Sequence, residues 1–173
     1  MYPVNESRIT YRGIIVNVRV DDVVFPNGKS YAREVVEQRG STAILLVDEQ
    51  DKLILVRQYR HPVGRMSLEI PAGILDGDED PLACVLREAE EETGFVPRDV
   101  RFVCAVNSSI GISTEQVHIF IGCDLMKSIQ SLDDDEFLTI ERHSLDDCLE
   151  MVKTGEISAV QTVVALFAYK CMR

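Results

Sequence analysis

The sequence predicts an α+β fold: a mixed β-sheet sandwiched with helices, carrying an N-terminal antiparallel β appendage. Three observations predict it. Residues 8–60 are dominated by strand-forming side chains with turn signals between them. A capped helix then interrupts the strands at 80–94, and two more capped helices close the chain. Strands first, a helix amid strands and helices last is the order expected of such a mixed-sheet sandwich. The 173 residues suit one domain, at about 100–200 residues each. A chain this long buries roughly 70% of its unfolded surface and needs neither disulfides nor a structural metal to fold. The expected division separates an N-terminal β region, 1–38, from the remainder, 39–173.

Taken in order, residues 9–20 are rich in Ile and Val and read as β. Asn27-Gly28 marks a hairpin turn between 21–25 and 31–38. Residues 42–47 form an apolar run, 48–51 a turn, 53–59 another strand, and 67–70 a short one. Residues 71–80 read as a loop containing Gly73 and Gly77. Asp80 suits an N-cap and Pro81 the first helical position. The helix runs over 82–93 with Leu82, Val85, Leu86 and Ala89 on its apolar face, and Gly94 ends it in the left-handed conformation. Strands are predicted at 101–106, 117–123 and 137–141. Ser144 opens a second helix that ends at Gly155. Ser158 with Gln161 forms a capping box for a third, through about residue 169.

Composition excludes several classes of function. With 46% hydrophobic and 27% charged residues the chain is globular rather than disordered. No apolar run reaches 18 residues, which argues against a membrane-spanning helix. Residues 1–10 lack the apolar stretch of a secretion signal, so a cytoplasmic location is expected. The five cysteines (84, 104, 123, 148 and 171) form no CxxC pair and are expected as free thiols. The net charge of −11 comes from two windows. Residues 69–94 hold nine acids and one Arg, and residues 131–150 hold eight acids and one Arg. A basic footprint for nucleic acid is missing. An acidic protein that binds an anionic ligand usually needs a divalent cation between them.

The chemistry concentrates in residues 73–95, GILDGDEDPLACVLREAEEETGF. Glu88, Glu90, Glu91 and Glu92 crowd one helix end. Residues three and four apart share a face, so Glu91 and Glu92 lie near Glu88 while Glu90 points elsewhere. Such like-charge pairs cost a helix a few tenths of a kcal/mol each, and no Lys is interleaved to relieve them. A hard cation with oxygen ligands turns that repulsion into binding. The flanking Gly73 and Gly77 let the backbone approach a ligand closely, and its carbonyls can complete a metal shell. An EF-hand is excluded despite Asp76-x-Asp78-x-Asp80: Pro81 stands where the turn glycine belongs, and Arg87 where the bidentate Glu belongs.

The segment resembles the Nudix box, G-x5-E-x7-R-E-U-x-E-E-x-G-U with U apolar. Gly73, Glu79, Arg87, Glu88, Ala89, Glu91, Glu92, Gly94 and Phe95 fill every defined place. Weaker similarity to the ADP-ribose (nucleoside-diphosphate-sugar) pyrophosphatase branch runs from about residue 31 to 169, through the stretches RQYRHP at 57–62, LEIPAG at 68–73 and GEI at 155–157. The resemblance implies a Nudix-type α/β/α sandwich over 39–173. It implies hydrolysis of a nucleoside diphosphate linked to another moiety, with Mg²⁺ or Mn²⁺: here ADP-ribose, cut to AMP and ribose 5-phosphate. Alternative substrates are GDP-mannose, an oxidised nucleotide or NADH; a non-catalytic nucleotide sensor is the remaining alternative. Glu88 and Glu92 match metal-ligand positions, Glu91 assists, and the Ala72 carbonyl matches a backbone ligand. Glu79 and Arg87 match a pair that holds loop to helix.

In this branch a Glu on a later loop takes the proton from water. The matching positions here are Asp134 for the base and Glu136 for a metal contact, with Glu136 the alternative base because Asp reaches one methylene less far. Arg57 and Arg60 match phosphate or ribose contacts, and a guanidinium fork suits phosphate. Their spacing of three breaks strand period two, so they need not share a face. Glu69 is expected to meet substrate or metal-bound water. Phe25 and Tyr31 are candidates to stack on a base. Ile110 stands where many ADP-ribose pyrophosphatases carry a Pro, which bears on the substrate. The branch also implies a homodimer joined through N-terminal strands, here 1–38.

Overall fold

The strand-forming N-terminal stretch folds back on itself twice. It gives β1 (Val4–Arg12), β2 (Val16–Val24) and β3 (Ser30–Gln38), an antiparallel meander in that order. The structure is a computed structural model and describes residues 1–173. The β stretch read over 9–20 is not one strand. The Gly13 N–H donates to the Val16 carbonyl at 2.9 Å and closes a turn between β1 and β2. The expected turn at Asn27-Gly28 forms, with Gly28 at φ 77° and Asn27 Oδ1 accepting from the Lys29 N–H at 3.0 Å. Residues 1–40 and 107–116 form one compact unit. The segment 107–116, which a split at residue 38 assigns to the C-terminal region, bonds to β3: the Val36 N–H donates to the Ile112 carbonyl at 2.7 Å.

Residues 41–106 and 117–173 form the second unit. Its strands are β4 (Ser41–Val47), β5 (Leu53–Arg60), β6 (Arg65–Glu69), β7 (Ala72–Ile74), β8 (Phe95–Asn107), β9 (Gln116–Lys127) and β10 (Leu138–His143). The sheet order is β10-β5-β4-β9-β8, mixed because β4 and β9 run parallel. Helix α1 (Pro81–Thr93) covers one face, where Val85 and Ala89 pack on Ile44, Leu46, Ile54 and Phe120. Helices α2 (Leu145–Thr154) and α3 (Val160–Met172) cover the other, with Cys148, Leu149, Ala165 and Leu166 on Ala43, Leu45, Leu53 and Leu55. Neighbouring residues of β4 and β5 thus serve opposite layers, as period two requires.

One irregularity positions the site. β4 and β5 pair only at Leu46↔Ile54 and Val47↔Leu53, then part like a fork. β6 pairs with β5 as far as Val56↔Glu69, and β7 pairs with β4 from Ala43↔Ala72. The chain therefore crosses the fork within residues 69–73, a stretch expected to be partly loop. The alternation survives the crossing: Glu69 and Gly73 lie on the α1 side, Ile70 and Ala72 on the α3 side.

The caps of α1 are those expected. Asp80 Oδ1 accepts from the Leu82 N–H at 2.9 Å, and Gly94 sits at φ 67° with its N–H on the Glu90 carbonyl. Ser144 and Asp147 form a reciprocal capping box for α2. The capping box expected for α3 is absent. The helix starts one residue later than expected, so its N-cap is Ala159, which has no side-chain acceptor, while the Ser158 hydroxyl accepts from Arg65 Nη2 at 2.8 Å.

Candidate active site

The acidic end of α1 faces β7 across a cleft of about 300 Å³, lined among others by Arg60, Ala72, Gly73, Glu88, Glu91 and Glu136. Gly73 makes room there for the Glu88 side chain. A Cβ on it would stand 1.9 Å from Glu88 Cδ, so the Glu88 carboxylate occupies the space that any side chain at 73 would fill.

Arg87 ties the loop to the helix. Its Nη2 meets Glu79 at 3.2 Å, while its Nη1 meets Glu88 at 2.7 Å and Glu91 at 2.9 Å. The hydrogen bond to Glu79 is the chief reason the Arg87 pKa lies above its ordinary value. In return Arg87, helped by the Asp76 N–H, draws the Glu79 carboxyl down to about 2.

Glu92 is in the opposite condition. It is 2% exposed, and its Oε2 is buried without a hydrogen-bond partner. Burial, then Glu88 and Glu136 nearby, push its pKa up to about 8, against a lesser pull from Arg60 and the Ala72 backbone. Glu88 is raised too, first by burial, with Arg87 opposing. A buried carboxylate with an unpaired oxygen is costly unless something cationic shares its site. Three features fit a hard divalent cation: the orphaned Glu92 oxygen, the glycine cradle for Glu88, and an all-oxygen donor set. His, Cys, Asp and Glu side chains form no ready-made group of three around one point; Glu88 and Glu91 are both bonded to Arg87 Nη1.

The other expected residues divide. Arg60 lies on the cleft side, clasped by buried Glu69 through two parallel bonds, Nε–Oε1 at 3.1 Å and Nη2–Oε2 at 2.9 Å. Burial works against its charge, but Glu69, then Glu92 and Glu136, outweigh it and leave the pKa raised. Glu69 is thus taken up by Arg60. Arg57 is not brought into the cleft. It shares the face of Leu53 and Leu55, where it bonds Glu141 on β10 and, at 2.9 Å, Glu156 beyond α2. The period-two break had separated the two arginines, but neither long-range carboxylate partner of Arg57 is visible in sequence. Of the 133–136 loop, Asp133 and half-buried Glu136 line the cleft, whereas exposed Asp134 does not. Glu90, pointing away as expected, takes the Ser128 hydroxyl. Phe25 and Tyr31 pack edge to face at 5.4 Å, and Arg33 sits over the Phe25 ring at 4.7 Å. All five cysteines are free.

A helix bearing clustered carboxylates, set over a glycine-lined strand end in an α/β/α sandwich, is an arrangement that suits hydrolysis of phosphoanhydrides with a divalent cation. The NUDIX domain pattern matches residues 37–163, and the chain belongs to the Nudix family. It is 37% identical over 158 residues to the ADP-ribose pyrophosphatase of Bacillus subtilis, covering 90% of this chain and 85% of that one. The methanol dehydrogenase activator of Bacillus methanolicus is 35% identical over the same share of each. A crystal structure of an ADP compounds hydrolase superposes with a TM-score of 0.89 over 98% of this chain and 92% of that one, at 23% identity, and so shares the fold.

Proposed function

We propose that this protein is a Mg²⁺-dependent pyrophosphatase that hydrolyses a nucleoside diphosphate linked to a sugar, ADP-ribose foremost, to AMP and ribose 5-phosphate. Mn²⁺ is the expected substitute ion. The observation that carries the reading is Glu92, buried beside the cleft with an oxygen that nothing in the protein satisfies. Glu88, Glu91, Glu92 and the Ala72 carbonyl would hold the ion, with Glu88 and Glu91 exchanging Arg87 for it. Held there, the ion would neutralise pyrophosphate charge and polarise a phosphoryl oxygen.

The remaining work falls to side chains. Water adds to one phosphorus, the bond from that phosphorus to the bridging oxygen breaks, and the water proton leaves to a carboxylate. Glu136, which lines the cleft, is the better placed acceptor of that proton; Asp134 is the alternative. Arg60, aimed by Glu69, meets a phosphate oxygen bidentately. We further propose a cytoplasmic homodimer. Five free thiols support the first part, and the uncovered apolar side chains Val4, Ile9 and Tyr11 of β1, with Ile15 of the turn after it, support the second. Its mass in sedimentation equilibrium tests the dimer.

The enzymatic test is release of phosphomonoesters from ADP-ribose, GDP-mannose and NADH, with and without Mg²⁺, read by a coupled phosphatase assay. Mg²⁺-dependent cleavage, fastest on ADP-ribose, is expected. Exchange of Glu92→Gln should cut it by about 10²–10³-fold. Cleavage that survives both chelation and that exchange would overturn the assignment; faster cleavage of another compound moves the substrate and keeps the chemistry.

A further inference from the structure

Thr162 is a polar residue where the packing calls for an apolar one. It lies on α3 with no exposed surface, one turn from Ala165 and Leu166 in the layer that packs on Ala43 and Leu45. Val would fill that volume without a hydroxyl to satisfy. The hydroxyl has a specific partner: Thr162 Oγ1 accepts the Ile70 backbone N–H at 3.0 Å.

That N–H belongs to the chain crossing the fork. The β5 ladder ends at Glu69 and the β4 ladder begins at Ala72, so the residues between have left one set of partners before reaching the next. Pro71 has no N–H, and its carbonyl is taken by the Ile44 N–H at 2.9 Å. The Ile70 N–H is therefore the donor of the crossing that the sheet cannot satisfy, and a side chain from the opposite layer satisfies it. Two residues later the Ala72 N–H meets the Glu92 carboxyl, and three later Gly73 makes room for Glu88.

We propose that Thr162 is a positioning residue for the cation seat. By holding the Ile70 N–H from behind the sheet, its hydroxyl fixes the direction in which the Ala72 backbone faces the carboxylates of α1. The inference rests on the metal-dependent reading above. Thr162 touches neither ion nor substrate; it acts through residues 70–72.

The test is Mn²⁺ affinity of the intact protein, measured from the electron paramagnetic resonance signal of free Mn²⁺, alongside thermal melts. Thr162→Val should weaken Mn²⁺ binding by about 10-fold or more, the range of lost outer-shell contacts. Thr162→Ser keeps the hydroxyl and should stay within about 2-fold of the parent, even though its lost methyl lowers Tm. Equal weakening by Val and Ser would reduce the role to packing and overturn the proposal, as would unchanged affinity in Thr162→Val. Glu92→Gln separates the two ideas: if it binds Mn²⁺ as tightly as the parent, the metal-seat reading itself fails. A second measurement needs no variant. Coupling is reciprocal, so saturating Mg²⁺ should slow hydrogen exchange of the Ile70 amide more than that of Cys148 in α2. Equal slowing of the two amides would count against the proposal.

Discussion

The two acidic windows look alike in sequence and differ in the fold. In residues 69–94 nearly every carboxylate has an assigned partner: Glu69 has Arg60, Glu79 and Glu91 have Arg87, Asp80 caps α1, and Glu90 holds Ser128. Against that background Glu92 stands out, buried with an unsatisfied oxygen and a pKa near 8. In residues 131–150 Glu141 and Asp147 serve structure, 133–135 stand exposed, and Glu136 alone is half-buried at the cleft. Density of charge is common to both windows. What separates them is desolvation without a partner, which a protein tolerates where a ligand supplies the missing charge.

Four experiments would break or sharpen that contrast. The largest effect is expected in the second window. If one of its loop acids takes the water proton, Glu136→Gln should lower kcat by about 10²–10⁴-fold, while Asp134→Asn changes it less than about 3-fold. The reverse result would hand the role to Asp134. Next comes Gly73→Ala, which expels the Glu88 carboxylate from its cradle. It should weaken Mn²⁺ binding by about 10–100-fold with little change in Tm, because the displaced group is the end of a flexible side chain. Arg60→Ala and Arg57→Ala form the third pair. The first should lower kcat/KM by about 10-fold or more, and the second should be near neutral in kcat/KM while lowering Tm through Glu141.

The last effect is read in stability alone. The folded-state pKa of Glu92 lies above its ordinary 4.5, so the native state holds the extra proton. The stabilising contribution is fully present below about pH 4.5 and is lost as pH rises through about 8. In metal-free protein, Glu92→Gln should therefore gain on the parent across that window, by several degrees of Tm at this chain length, and the gap should level off above it. A gap independent of pH would mean that Glu92 titrates normally and that the contrast between the windows is lost.

Helix α1 was legible in sequence because its signals are local: Asp80, Pro81 and Gly94 each act within a turn. The spacing of Glu88, Glu91 and Glu92 was legible for the same reason. Features that depend on distant partners were not. Nothing near Ser158 announces that Arg65 will claim its hydroxyl, and nothing near Arg57 announces Glu141 and Glu156. The stretch 71–80 carries turn-forming glycines, yet Ala72–Ile74 becomes strand because β4 offers a free edge where β5 leaves it. Thr162 reads as an ordinary helical residue until the unmatched Ile70 N–H is found behind it.

The fork also makes the centre more sensitive to chain length than to most changes of residue type. From Glu69 on one ladder to Gly73 on the other, the faces alternate without a break. One residue inserted or deleted there reverses that parity, turning Gly73 away from Glu88 and sending a side chain where the backbone now lies. The exposed run at 133–135 lies outside any ladder and has no such parity to keep. Insertions and deletions at 133–135 should therefore spare the fold and act only through the reach of Glu136, whereas across the five residues of the fork they should be ruinous, however conservative the added residue.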